Sequence, residues 1–369
     1  MRCDTGRIVK CLTAPRSGSA RIAALSAAAF GFSAVLALLS GSARPAAAAD
    51  FDSTTTFTAH DLTVTDLIGA ITIEGSDSAN FEVEVKVHGK DATRDLVKIQ
   101  SKQGDNAELD VLFPVKEDSR FVYPPLGDQS STTVTVSRHG RDADNPLDAV
   151  LRSLGGRRIK VSGDGRGLEM WADVTVRVPR DRRLFLDLCV GSIEATRVAS
   201  RLELNTQSGP VRTAGVTGDL TVETGSGDVI VEGSQGDALR LDTGSGSVKM
   251  SAIGCKRLHV ETGSGRVDAK GVTTDDLKLE TGSGSIALAC DHVGSGPYHI
   301  ETGSGSIELS LPGDTSADVA AETGSGQIEV DVGKVQVLSR EDDSVSFRMG
   351  KGGADIKLET GSGSISITH

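Results

Sequence analysis

The sequence predicts an all-β protein built as a parallel β-solenoid, a β-helix of about ten rungs of roughly 18–21 residues each, preceded by an irregular N-terminal β region. Three observations carry this. A twelve-residue phrase recurs through the C-terminal half, each copy alternates apolar and polar residues at both ends, and a Gly-Ser-Gly corner separates the two alternating stretches.

The phrase is plainest at 277–288, LKLETGSGSIAL. Clear copies begin at Leu184, Leu202, Leu220, Leu239, Leu258, Leu277, Tyr298, Val319 and Ile356. The last interval is two periods long and reads as one degenerate copy in VQVLSREDDSVSF, marked by Val335, Val337, Val345 and Phe347. Within 277–288, Leu277, Leu279, Ile286 and Leu288 are expected to point inward and Lys278 and Ala287 outward, the period-two pattern of half-buried strands. Two glycines around one serine open backbone angles closed to other residues, so the chain turns sharply there, with Gly284 expected at positive φ. Each copy thus gives two short strands, a fixed corner and a variable corner such as EGSQGDA at 232–238. One unit cannot bury its apolar face alone, whereas units stacked at ~4.8 Å can, and about ten make a rod about 48 Å long. An antiparallel meander or sandwich that uses the Gly-Ser-Gly corners as hairpin turns competes with this architecture. The solenoid is preferred because it lays like corner on like corner.

Four segments follow along the chain. Residues 1–49 carry Arg2, Arg7, Lys10, Arg16 and Arg21, an apolar run from Ile22 to Leu39, and Ala47 to Ala49, the order of a signal peptide cut after Ala49. An uncleaved anchor is the alternative, because the run approaches the ~20 residues that span a bilayer. Residues 50–113 form an N-terminal β repeat region in which LTVTDLIGAITI, from Leu62 to Ile73, already fits the phrase. Residues 114–167 are a polar insertion with a short helix expected from Asn145 to Gly155, with Pro146 at its first position. Residues 168–369 are the solenoid array.

A net charge of -12 removes the phosphate attraction behind nucleic-acid binding and disfavours an anionic membrane surface. After cleavage the chain keeps Cys189, Cys255 and Cys290, an odd number without metal or redox spacing. Cys255 and Cys290 fall about two rungs apart, too far for a disulfide. His259 and His299 are likewise two rungs, ~9.6 Å, apart and cannot share a zinc ion. Asp242-Thr243-Gly244-Ser245 spells the catalytic phrase of an aspartic protease, but six other copies have Glu in that place, so it is one spelling of the repeat. No G-x-S-x-G elbow, Walker loop or H-E-x-x-H occurs, and no catalytic residue, resident metal or cofactor is expected.

In a registered stack Glu223, Asp242, Glu261, Glu280, Glu301 and Glu322 form an acidic column whose neighbours repel. Arg240, His259, Lys278 and His299, two residues earlier in their copies, are placed to pair with it diagonally. Solvation with salt screening, or a divalent cation, are the other ways to offset the repulsion.

LTVTDLIGAITIEG near the start, VTVRVPRDRRLFLDLCVGSIEA in the middle and the ETGSGSI copies together resemble the bacterial "putative adhesin" family of β-strand-repeat proteins, a domain of unknown function. The resemblance covers most of Phe51 to His369 and implies an exported β-solenoid at the cell envelope, with no catalytic residues to carry over. The expected function is a non-catalytic envelope structural or interaction protein whose partner is an envelope protein or glycan. It is expected in the periplasm, on the surface or outside the cell, with no membrane span once the signal is cut. A secreted glycan- or ligand-binding module is the alternative. A β-helix polysaccharide-degrading enzyme is the third reading, against which stands an aromatic content of only 3%.

Overall fold

Period-two alternation gives strands, and strands whose glycine corners nest on one another give a stack. The computed structural model describes residues 50–136 and 157–369, so the expected signal peptide and the helix from Asn145 to Gly155 lie outside the described residues. Those described are all β apart from a 3₁₀ turn at Pro124–Leu126. No helix among them is long and apolar enough to cross a membrane.

The first strands of the copies build one wall. Arg201–Ser208, Leu220–Ser226 and the second half of Gln235–Ser245 pair in parallel, with Leu202 beside Leu220 and Leu220 beside Leu239. The ladder continues through Leu258, Leu277 and Tyr298. The second strands build another wall, from Ile193 through Val211, Val229, Val248, Val267, Ile286 and Ile307. Leu279 and Ile286 are fully buried, while Lys278 and Ala287 are partly exposed, as the alternation predicts.

The variable corners are more ordered than the sequence suggests. Gln235 pairs with Gly254, Ile253 with Val272, and Val272 with Cys290, so part of this side is a third parallel wall. Val198, Val216, Ile253 and Val272 bury their side chains behind it. Each of these is a single large aliphatic residue among small and polar ones, so no alternation announces it.

The Thr-Gly-Ser-Gly corner has a specific internal job. Thr243, Thr262, Thr281 and Thr302 are buried, and their hydroxyls donate to the carbonyls of Gly227, Gly246, Gly265 and Gly284 in the preceding coil, at 2.8–3.3 Å. A buried hydroxyl needs such an acceptor, and a satisfied one contributes about 1 kcal/mol.

The stack is β-solenoid-like, but it is not the uniform succession of consecutive rungs that the period predicts. Val335–Arg340 and Ser344–Met349, expected as a degenerate copy, form an antiparallel hairpin instead. Its second strand runs antiparallel to Ala317–Thr323 and sets Phe347 beside Val319. The next strand, Ala354–Thr360, then turns back and slots between Pro297–Thr302 and Ala317–Thr323, parallel to both. Ile365–Thr368 does the same between Ile307–Ser310 and Ile328–Asp331. The REDD run that replaces the glycine corner joins two hairpin strands rather than two walls, and the hairpin covers an otherwise open edge.

The N-terminal end is also built out of sequence order. Asp61–Ser76 stacks in parallel on Arg183–Thr196, and its other side receives Asn106–Leu112 and Trp171–Pro179. Phe81–His88 and Phe51–Phe57 extend that end as antiparallel strands. Within the expected insertion, Arg120–Val122, Ser131–Val136 and Arg157–Ser162 join Leu168–Glu169 in a small separate sheet.

Candidate functional site

On the first wall the outward residue before each corner threonine falls in line. Glu223 lies beside Asp242, Asp242 beside Glu261, Glu261 beside Glu280, and Glu280 beside Glu301. Glu322 does not follow Glu301. Glu359 stands between them, because its strand is inserted there. The sequence could not place it, since the copies that carry Glu322 and Glu359 share the same ETGSG phrase.

A second line of side chains runs beside the acids: Arg240, His259, Lys278, His299 and Lys357. The pairing is mostly within one strand rather than diagonal, because residues two apart share a face. Arg240 reaches Asp242 at 3.4 Å, Lys278 reaches Glu280 at 2.8 Å, His299 reaches Glu301 at 3.1 Å and Lys357 reaches Glu359 at 2.8 Å. His299 also approaches Glu280 across the coils at 3.8 Å, the one diagonal contact of the expected kind among these pairs. Such exposed pairs contribute ~0–1 kcal/mol each, so their main effect is to offset repulsion along the column. His259 differs from its neighbours: burial, then the charges of Arg240 and Lys278, push its imidazole below the ordinary value. It is therefore held neutral, and Arg240 lies 3.1 Å from its Nδ1.

The protease-like Asp242 belongs to this ladder, and Thr243 beside it is spent on the corner hydrogen bond to Gly227. Cys189, Cys255 and Cys290 are free thiols. Burial pushes Cys290 up to about 12 and raises Cys255, so both stay protonated and poorly nucleophilic.

A second cluster, at the N-terminal end, was not evident in the sequence. Asp66 stands in the first copy where later copies have the corner threonine, and it is fully buried. Its Oδ1 accepts the Leu67 N–H at 2.8 Å, while Oδ2 has no partner. Burial drives this carboxyl well above the usual range, and the nearby Asp173 charge adds to the shift. Asp173 accepts the Ala70 N–H at 3.0 Å and lies 3.5 Å from His88 Nε2. His88 stacks on Trp171 with ring centroids 5.6 Å apart, and Tyr123 packs on the same indole at 5.9 Å. Burial, then Asp173 and Asp66, push the Tyr123 phenol up to about 12. The result is an aromatic cluster in which Trp171 and His88 are partly exposed and Tyr123 is buried, with a carboxylate at its rim and the Asp66 carboxyl inside. Its residues come from four distant stretches, and the one local signal is an Asp in the threonine slot.

A solved "putative cell adhesion protein" from Clostridium sporogenes is 12% identical over 87% of this chain and 99% of that chain, with a TM-score of 0.20. That likeness is too remote to carry an argument. No curated protein matches. The Toastrack DUF4097 family, a domain of unknown function, matches residues 59–368, which is most of the sequence, and the chain belongs to that family.

Proposed function

We propose that this chain is an exported, non-catalytic structural or interaction protein of the cell envelope, adhesin-like, and that it works as a β-solenoid rod of about ten coils. The observation that carries the proposal is what the repeated residues do. Aliphatic residues fill the interior, corner threonines bond the preceding coil, and the acids of the outer ladder stand beside bases. The repeat is thus accounted for by stacking, without any demand from chemistry.

Export is supported by the basic, apolar and small-residue order of residues 1–49. Protein recovered from the envelope or medium is expected to begin at Asp50 on N-terminal sequencing. A chain still beginning at Met1 would favour the anchored alternative.

A panel of cell-wall and extracellular glycans, assayed for both binding and products, tests the role. The proposal expects no turnover. Saturable binding without turnover would favour the secreted glycan-binding module, and products would establish the enzyme reading. The binding-module reading has one specific support, the Trp171 surface flanked by His88 and Tyr123, because sugars pack on aromatic faces. Under that reading Trp171→Ala abolishes glycan binding and leaves the fold intact.

A further inference from the structure

We propose that Glu280, His299 and Glu301 form a binding site for a borderline-soft divalent metal ion of the Zn²⁺ type, independent of the envelope role above. The coils bring these three residues together although none is adjacent in sequence: Glu280 and Glu301 are side by side in the parallel ladder, and His299 lies two residues before Glu301 on the same face. His299 Nε2 is 3.1 Å from Glu301 Oε2 and 3.8 Å from Glu280 Oε1. One ligand atom from each of the three lies within 4.8 Å of the others. Bonds of about 2.0–2.1 Å at a tetrahedral angle need ligand atoms about 3.3 Å apart, so small side-chain rotations close this set on an ion.

One imidazole and two carboxylates suit zinc, and three protein ligands leave a fourth position open. Glu301 is half exposed, so that position faces solvent. Calcium is not favoured, because it needs six to eight oxygens and gains nothing from an imidazole.

A second set, His259, Glu261 and Glu280, overlaps the first through Glu280. It is the poorer site. Arg240 donates to His259 Nδ1 at 3.1 Å, which in the neutral ring leaves the proton on Nε2, and Nε2 is the nitrogen that faces Glu261 at 4.0 Å. Arg240 and Lys278 also add positive charge around that ring. At the His299 set the competitor is Lys278, whose ammonium sits 2.8 Å from Glu280 Oε1 and must yield to the ion. Glu359, the next acid in the ladder, is held 2.8 Å from Lys357.

Zinc titration calorimetry on the untagged mature chain near neutral pH, with circular-dichroism melts to check folding, tests this. The expected result is saturable uptake of one Zn²⁺, weakened at least about tenfold by His299→Ala, and likewise by Glu280→Gln or Glu301→Gln. Lys278→Met removes the competing ammonium and is expected to tighten binding roughly three- to tenfold. Glu322→Gln, beyond Glu359 in the ladder, leaves it unchanged. The proposal is overturned by the absence of saturable uptake, by a folded His299→Ala variant that binds as well as the parent, or by loss of binding in His259→Ala alone.

Discussion

Asp66 occupies the slot that threonine fills in later copies, and the exchange replaces a satisfied hydroxyl by a buried carboxyl with an unpartnered Oδ2. Burial raises its folded-state pKa above the ~3.9 of an unfolded aspartate, so the folded chain holds a proton there that the unfolded chain gives up. The contribution to stability is therefore complete below about pH 4 and is lost as pH rises, by up to ~1.4 kcal/mol per pH unit until the folded carboxyl ionises. Asp66→Asn keeps the shape and removes the titration. Urea unfolding across roughly pH 4 to 8 is expected to show the parent losing stability relative to the variant as pH rises. Parallel curves would mean that Asp66 is not the source.

Within one coil the corner decides whether the two strands can stack at all. Gly284 has a φ of +150°, and a Cβ placed on it would lie 2.0 Å from the carbonyl oxygen of Gly265 in the coil before. The second glycine is therefore required by close backbone approach as well as by its angle. Gly284→Val is expected to destabilise by at least about 2 kcal/mol, whereas Ser283→Ala, on the exposed tip, should stay within about 0.5 kcal/mol. Equal tolerance of both changes in a denaturant melt would contradict this picture of the corner. Elements of this kind were legible in the sequence because their causes are local: alternation at Leu277 and Leu279 sets the face, and the glycines set the turn. The third wall was not legible, because Ile253 and Val272 stand as single large aliphatic residues among small and polar ones and pair only with neighbouring coils.

Across the whole molecule, what the sequence could not fix is the order of near-identical pieces. The strands carrying Glu322 and Glu359 spell the same corner, so local preference cannot choose which one lies against Glu301. The choice is made at long range: the hairpin of Val335–Arg340 and Ser344–Met349 takes the outer edge of Ala317–Thr323, and Ala354–Thr360 fills the inner one. The aromatic cluster at the opposite end was hidden for a similar reason, since His88, Tyr123 and Trp171 meet only through the antiparallel capping strands and the small sheet. The ladder was readable as a column from Glu223 to Glu301, and its continuation was not.

Stacking order underlies the scaffold, the charge ladder and the metal site alike, and paired cysteines report it directly. Neighbouring parallel strands are ~4.8 Å apart, within the roughly 4.4–6.8 Å between Cα atoms that a disulfide accepts, while strands two apart are not. The measurement is oxidation of two double variants, Glu301→Cys with Glu359→Cys and Glu301→Cys with Glu322→Cys, followed by peptide mapping to set aside the native thiols. The stack described here predicts a link between positions 301 and 359 and none between 301 and 322. A 301–322 link, with 301–359 unlinked, would show that the coils follow one another in chain order and would contradict this account.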